Sequence, residues 1–301
     1  MPKFIPMKLY STNNKNNIVS LKEAVFKSLP EDRGLYMPVE ISKVSDDFIR
    51  NLSKYSFQAI AFEVARTLIG ASIPEEDLYT IVERSITFPA PVIHLDEQIS
   101  VLELFHGPSL AFKDFGARFM AQLMSYLRGE EDKKLTILVA TSGDTGGAVA
   151  SGFYNTDGVE VIILYPSGKV SALQEKQLTT LGGNITAIEV DGTFDDCQAI
   201  VKTAFLDSDL NGKYDLSSAN SINIARLIPQ IFYYFEGYKQ LPNDGLSNIF
   251  CVPSGNFGNL TAGLIAKRIG LPIHQFIAAT NINRTVPEYL STGLFQPHPS
   301  Y

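Results

Sequence analysis

The chain has 301 residues, 45% hydrophobic and 19% charged, with 22 glycines and 16 prolines, the balance of a globular protein of one large or two medium domains. A formal net charge of −7 without any basic stripe argues against nucleic acid as a partner. The apolar runs are too short to span a bilayer, and the opening MPKFIPMKLYSTNNKNN lacks the apolar core of a secretion signal.

In chain order, residues 1–95 read as an N-terminal α/β region of short elements, punctuated by turn signals such as Leu29 to Gly34. After Lys113, apolar residues at Phe115, Phe119, Met120, Leu123, Met124 and Leu127, with Gly129 beyond, predict a helix with one buried face and Asp114 as its first residue. Strands are predicted at Leu135 to Ala140, Val159 to Tyr165, Ile185 to Val190, Ile249 to Pro253 and Gln275 to Ala279. Ser171 with Gln174 makes a capping box for a helix stopping at Gly182 and Gly183, Thr193 opens another running to Leu206, and a third covers Leu260 to Ile269. This alternation predicts βαβ units around parallel sheets flanked by helices, divided into regions 96–215 and 216–301. The chain stops in LFQPHPSY, where such a fold is not expected to close. Cys197 and Cys251 sit in apolar patterns and read as two buried thiols of a reducing, cytoplasmic compartment. His94, His106, His274 and His298 lack metal-ligand spacing, so no metal site is expected.

Two strand-to-helix turns suit anions. Thr141, Ser142, Gly143, Asp144 and Thr145 follow the first predicted strand, where small residues and a helix dipole favour a carboxylate or phosphate. The same residues read equally as a tight turn whose Thr145 or Asp144 merely caps the helix. Gly255, Asn256, Phe257, Gly258 and Asn259 describe a second anion nest. Neither turn has the P-loop lysine or the GxGxxG of a dinucleotide fold. Lys113, between Phe112 and Phe115 at a helix start, is in a setting that lowers an amine's pKa and favours attack on an aldehyde; alone, it reads as a lysine snorkelling from a helix end. One reactive lysine with two anion cradles matches what pyridoxal 5'-phosphate and an amino-acid carboxylate require.

The ordered motifs DRGLYMP (Asp32 to Pro38), HGPSLAFKDFG (His106 to Gly116), ATSGDTGGA (Ala140 to Ala148), SSANSINIARLIPQ (Ser217 to Gln230) and VPSGNFGN (Val252 to Asn259) resemble the threonine synthases. The resemblance implies a fold-type-II pyridoxal phosphate enzyme, tryptophan synthase β-like, that converts O-phospho-L-homoserine and water to L-threonine and phosphate. It further implies Lys113 as the Schiff-base lysine, with Gly255 to Asn259 and Asp144 on the cofactor. Thr141 to Thr145 would face the substrate carboxylate, and Asn220, Ser221 and Asn223 would form a substrate-side cluster whose other reading is a helix cap. Lys169, then Arg226, are the candidate partners of the substrate phosphate. Family members continue beyond the position of Tyr301 and there supply the partner of the pyridine nitrogen, so a chain lacking its C-terminal part is expected. A phospho-lyase releasing a keto acid and an inactive cofactor-binding fragment remain the alternatives.

Overall fold

The computed structural model describes residues 5–129, 134–220, 222–242 and 245–296. In the N-terminal region, β1 (Lys8–Ser11) pairs antiparallel with both β2 (Ile18–Ser20) and β3 (Tyr36–Pro38). Helix α1 (Leu21–Lys27) starts where the Ser20 hydroxyl accepts from the Glu23 amide. Three helices follow, α2 (Asp46–Arg50), α3 (Phe57–Ile69) and α4 (Glu75–Ser85), and α3 buries the stripe Ile60, Ala61, Val64, Ala65 and Leu68. A short hairpin of β4 (Val92–His94) and β5 (Ser100–Leu102) leads into the central region.

There the chain alternates α5 (Lys113–Leu127), β6 (Leu135–Ala140), α6 (Asp144–Phe153), β7 (Val159–Pro166), α7 (Ala172–Thr179), β8 (Ile185–Val190) and α8 (Phe194–Leu206). After α9 (Ser208–Lys213) comes β9 (Asp215–Ser218), and the four strands form one parallel sheet in the order β8–β7–β6–β9. All six residues of β6 are buried, as expected of a parallel strand covered on both faces. The remaining elements are α10 (Ile224–Lys239), β10 (Ile249–Pro253), α11 (Gly258–Ile269), β11 (Gln275–Ala279) and α12 (Thr285–Thr292), with β10 and β11 parallel. Helix α10 is buried without interruption from Ile224 to Gly237 and threads the core between the regions.

The predicted strands, the capping box at Ser171 and the helix start at Thr193 stand where the sequence places them. Four expectations need correction. Lys113, not Asp114, is the first residue of α5. The helix after Ser171 ends at Thr179, short of the two glycines. The division at 215 and 216 cuts β9, which pairs with β6 inside the central sheet; its sequence, DLSS, carries no β-branched signal. Finally, Cys197 is buried but Cys251 is exposed, because β10 has only β11 beside it among the described residues.

Candidate active site

Lys113 opens α5 without a side-chain cap, and its ammonium lies 3.5 Å from Asp144 Oδ2. Burial holds this amine below the ordinary lysine range, the Arg226 guanidinium adds to the lowering, and Asp144 opposes both. The segment before it is fixed by Asp114, fully buried, whose carboxylate accepts from the Ser109 hydroxyl at 2.7 Å and the Ser109 amide at 2.9 Å. Leu110 is held in the left-handed region, at φ 59°, within the bend that this clamp closes.

The loop after β6 turns sharply through Gly143, at φ +145°. Thr141, buried, organises it: its hydroxyl accepts from the amides of Gly143 at 3.0 Å and Gly146 at 2.8 Å. Capping thus falls to Thr141 and not to Asp144 or Thr145. The Asp144 carboxylate accepts instead from Gln174 Nε2 at 2.8 Å. An anionic side chain already committed to an amide and an ammonium is a poor partner for another carboxylate, which leaves the backbone N–H groups opening α6 as the donors suited to an anion. Ser142 is exposed and Thr145 half-buried.

In the loop after β10, Phe257 adopts the left-handed conformation, at φ 59°, as the residue before α11 and gives that helix no side-chain cap. The Asn259 side chain is turned to its own loop, donating to the Pro253 carbonyl at 2.7 Å and accepting from the Leu260 amide at 2.9 Å. A methyl group added at Gly255 would meet nothing within 4 Å. The α11 N-terminus is therefore a fixed nest with open space before it.

Both turns meet at a cavity of about 670 Å³, lined by Ala140, Thr145, Gln198, Lys202, Asn220, Asn256 and Gly258, and by Thr12, Tyr36 and Met37 of the N-terminal region. It lies outside the carboxyl ends of β6 and β10, the usual place for ligands in open parallel sheets. Among the described residues, no group of three or more His, Cys, Asp or Glu side chains is placed to hold a metal ion, and no helix is long and apolar enough to cross a membrane.

Comparison with known proteins agrees with this arrangement. The family model for the N terminus of threonine synthase matches residues 8–86, and that for pyridoxal-phosphate dependent enzymes matches residues 87–299. The threonine synthase of Serratia marcescens is 50% identical over 293 residues, which cover 97% of this chain and 68% of that protein. The chain belongs to the threonine synthase family. Its fold matches the crystal structure of threonine synthase from Escherichia coli with a TM-score of 0.90 at 49% identity, covering 98% of this chain and 69% of that one. The pyridoxal phosphate-bound threonine synthase of Brucella melitensis matches with a TM-score of 0.89 at 40% identity, over 95% of this chain and 63% of that one. Serine racemase from maize, 18% identical with a TM-score of 0.58, shares the fold alone.

Pyridoxal 5'-phosphate is the cofactor of this family, and the residues present fit it. Lys113 supplies an amine of lowered basicity, and the uncapped α11 nest suits a phosphate. Of the sequence-predicted substrate residues, Thr145 and Asn220 line the cavity, whereas Ser221 lies outside the described residues. Asn223 does not reach the cavity: fully buried, it caps α10 through the Ala225 amide and donates to the Val25 carbonyl at 2.8 Å. Lys169 is exposed on the turn after β7 and does not line the cavity either. Arg226 is 1% exposed, with Nη1 donating to the Ala219 carbonyl at 2.7 Å and Nε without a partner. Burial lowers it to about 10, so it stays charged at neutral pH. Sequence reading missed Gln174 as a partner of Asp144, having seen only its capping role, and missed Lys202, one helical turn beyond Gln198 on the cavity wall.

Proposed function

We propose that this chain converts O-phospho-L-homoserine and water to L-threonine and phosphate, with Lys113 as the cofactor attachment residue. The observation that carries the reading is a largely buried lysine amine 3.5 Å from Asp144, whose chain neighbour Thr145 lines, with Asn256 and Gly258 of the α11 turn, the cavity at these helix N-termini; Lys113 itself is not among its lining residues. Gly255, Asn256, Phe257, Gly258 and Asn259 hold the cofactor phosphate through backbone N–H groups and the helix dipole. The backbone N–H groups of Ser142, Asp144 and Thr145 receive the substrate carboxylate, those of Thr141 and Gly143 being bonded to the Leu164 carbonyl and the Thr141 hydroxyl, and Asn220 completes the polar wall. Arg226 does not line the cavity any more than Lys169 does, but as a buried cation close enough to Lys113 to lower its basicity it is the better candidate for the substrate phosphate.

The cofactor, when bound, supplies an electron sink for charge developing at the substrate carbons. Lys113 would move protons at Cα and Cβ, and burial, by lowering its basicity, favours the free amine that accepts them. Cys197 and Cys251 are both free thiols, which supports work in the reducing cytoplasm. Product analysis after incubation with O-phospho-L-homoserine tests the reading: threonine and phosphate in equal amounts are expected. Keto acid and ammonia without threonine would assign a phospho-lyase instead.

A further inference from the structure

We propose that Gln174 is a positioning residue for the lysine amine, holding the Asp144 carboxylate against Lys113 with the same side chain that caps its own helix. This rests on Lys113 being the attachment residue and adds what sets the state of its amine. Gln174 is the third residue of α7, and its Oε1 accepts from the Ser171 amide at 3.1 Å and the Ser171 hydroxyl at 3.0 Å. That closes the capping box and leaves one polar atom, Nε2, which donates to Asp144 Oδ1 at 2.8 Å. The other carboxylate oxygen faces Lys113 Nζ at 3.5 Å. A glutamate would cap the helix equally well but has no proton to donate; only an amide performs both tasks.

Gly143 belongs to the same unit. A methyl group there would stand 2.4 Å from Gln174 Nε2, and the φ of +145° already favours glycine. The Asp144 side chain is 53% exposed and accepts from no other side chain among the described residues. Without Gln174, solvent competes for it and the ion pair with Lys113 loosens. The charged groups acting on the amine are Asp144 on α6 and Arg226 on α10, and among the described residues only Asp144 stands within ion-pair distance.

The test measures trinitrobenzenesulfonate labelling of Lys113, read by mass spectrometry of its peptide, in the full chain stripped of cofactor and at a pH below the amine's midpoint. Gln174→Leu frees Asp144 and is expected to speed labelling about threefold, the size of an exposed ion pair. Asp144→Asn does the same, and adding Gln174→Leu to it changes nothing further. Gln174→Glu keeps the cap, with an unchanged melting temperature, but brings a second carboxylate and slows labelling. Wild-type labelling rates in both Gln174 variants would reduce this residue to a helix cap and overturn the proposal, as would additive effects of Gln174→Leu and Asp144→Asn. Whether Lys113 is the attachment residue is scored separately, by the imine absorption of the wild type against Lys113→Ala.

Discussion

Asp114 offers a sharp contrast between two substitutions. Its carboxylate is fully buried and accepts from the Ser109 hydroxyl at 2.7 Å and the Ser109 amide at 2.9 Å. Asp114→Ala leaves both donors dry and unpaired, each costing about 1–3 kcal/mol, so a loss of roughly 2–6 kcal/mol is expected before relief of the buried charge is subtracted. Asp114→Asn behaves differently, because its amide oxygen can accept from the Ser109 N–H while its NH₂ donates to the hydroxyl oxygen. The bonds survive and the buried charge is gone, so the change stays within about 1 kcal/mol. Burial, the largest influence, raises the Asp114 carboxyl above its ordinary 3.8. The folded state thus holds this proton more tightly than the unfolded one. Relative to Asp114→Asn, the wild type loses stability as pH rises from near 3.8 through the raised folded value, and the difference is constant above it. Guanidinium denaturation of the three proteins at several pH values measures this. If Asp114→Asn proves as unstable as Asp114→Ala at pH 7, the reasoning is wrong: the loop before Lys113 would then need the negative charge itself.

Asn223→Ala removes the α10 cap and orphans the Val25 carbonyl; a loss of about 2–3 kcal/mol in chemical denaturation is expected, with KM for phosphohomoserine in the surviving protein unchanged. Arg226→Met exchanges a buried, uncompensated charge for an apolar side chain of similar length; stability should change by less than about 1 kcal/mol while KM rises about tenfold or more. An unchanged KM would remove Arg226 from the substrate-phosphate site. Asn256→Ala and Gly258→Ala should each weaken cofactor retention, measured by equilibrium dialysis, by about tenfold with little change in melting temperature. Equal retention would place the cofactor phosphate elsewhere.

Strands Leu135–Ala140 and Ile185–Val190 were legible to the residue because β-branched, apolar-rich runs end at loop formers; the first, buried throughout, also shows that a doubly covered parallel strand needs no alternation. Helix starts were legible at Ser171, which meets Gln174 three residues later, and at Thr193, where the structure adds a second capping box with Asp196. Strand β9 was not, since DLSS becomes a strand only through the register that sets Leu135 opposite Asp215. The site divides the same way. Lys113 and both glycine-rich turns announce themselves locally, but which side chain does what depends on partners far along the chain. Asn223 is drawn from the site by a carbonyl 198 residues away, and Asp144 is tied down by an amide 30 residues away. A capping box is visible in sequence; the spare N–H on its glutamine is not.

The charge balance of the site follows from these assignments. A chain of net charge −7 must accept a cofactor phosphate, a substrate phosphate and a carboxylate, so its long-range field opposes all three. The fold answers locally. Two helix N-termini present partial positive charge without adding side chains that would bind water or each other. Arg226 adds one full charge that burial keeps from solvent and that, among the described residues, the Ala219 carbonyl engages. Burial is costly for Arg226 in the empty chain and becomes an advantage once an anion arrives, because the interaction is then unscreened. Burial is the main cause that lowers Lys113, and Arg226 adds to it, so under the proposed assignment one buried guanidinium would serve two ends, drawing an anion and keeping the neighbouring amine less basic. Asp144 works against it, and the Gln174 amide, by fixing where that carboxylate stands, sets the balance between them.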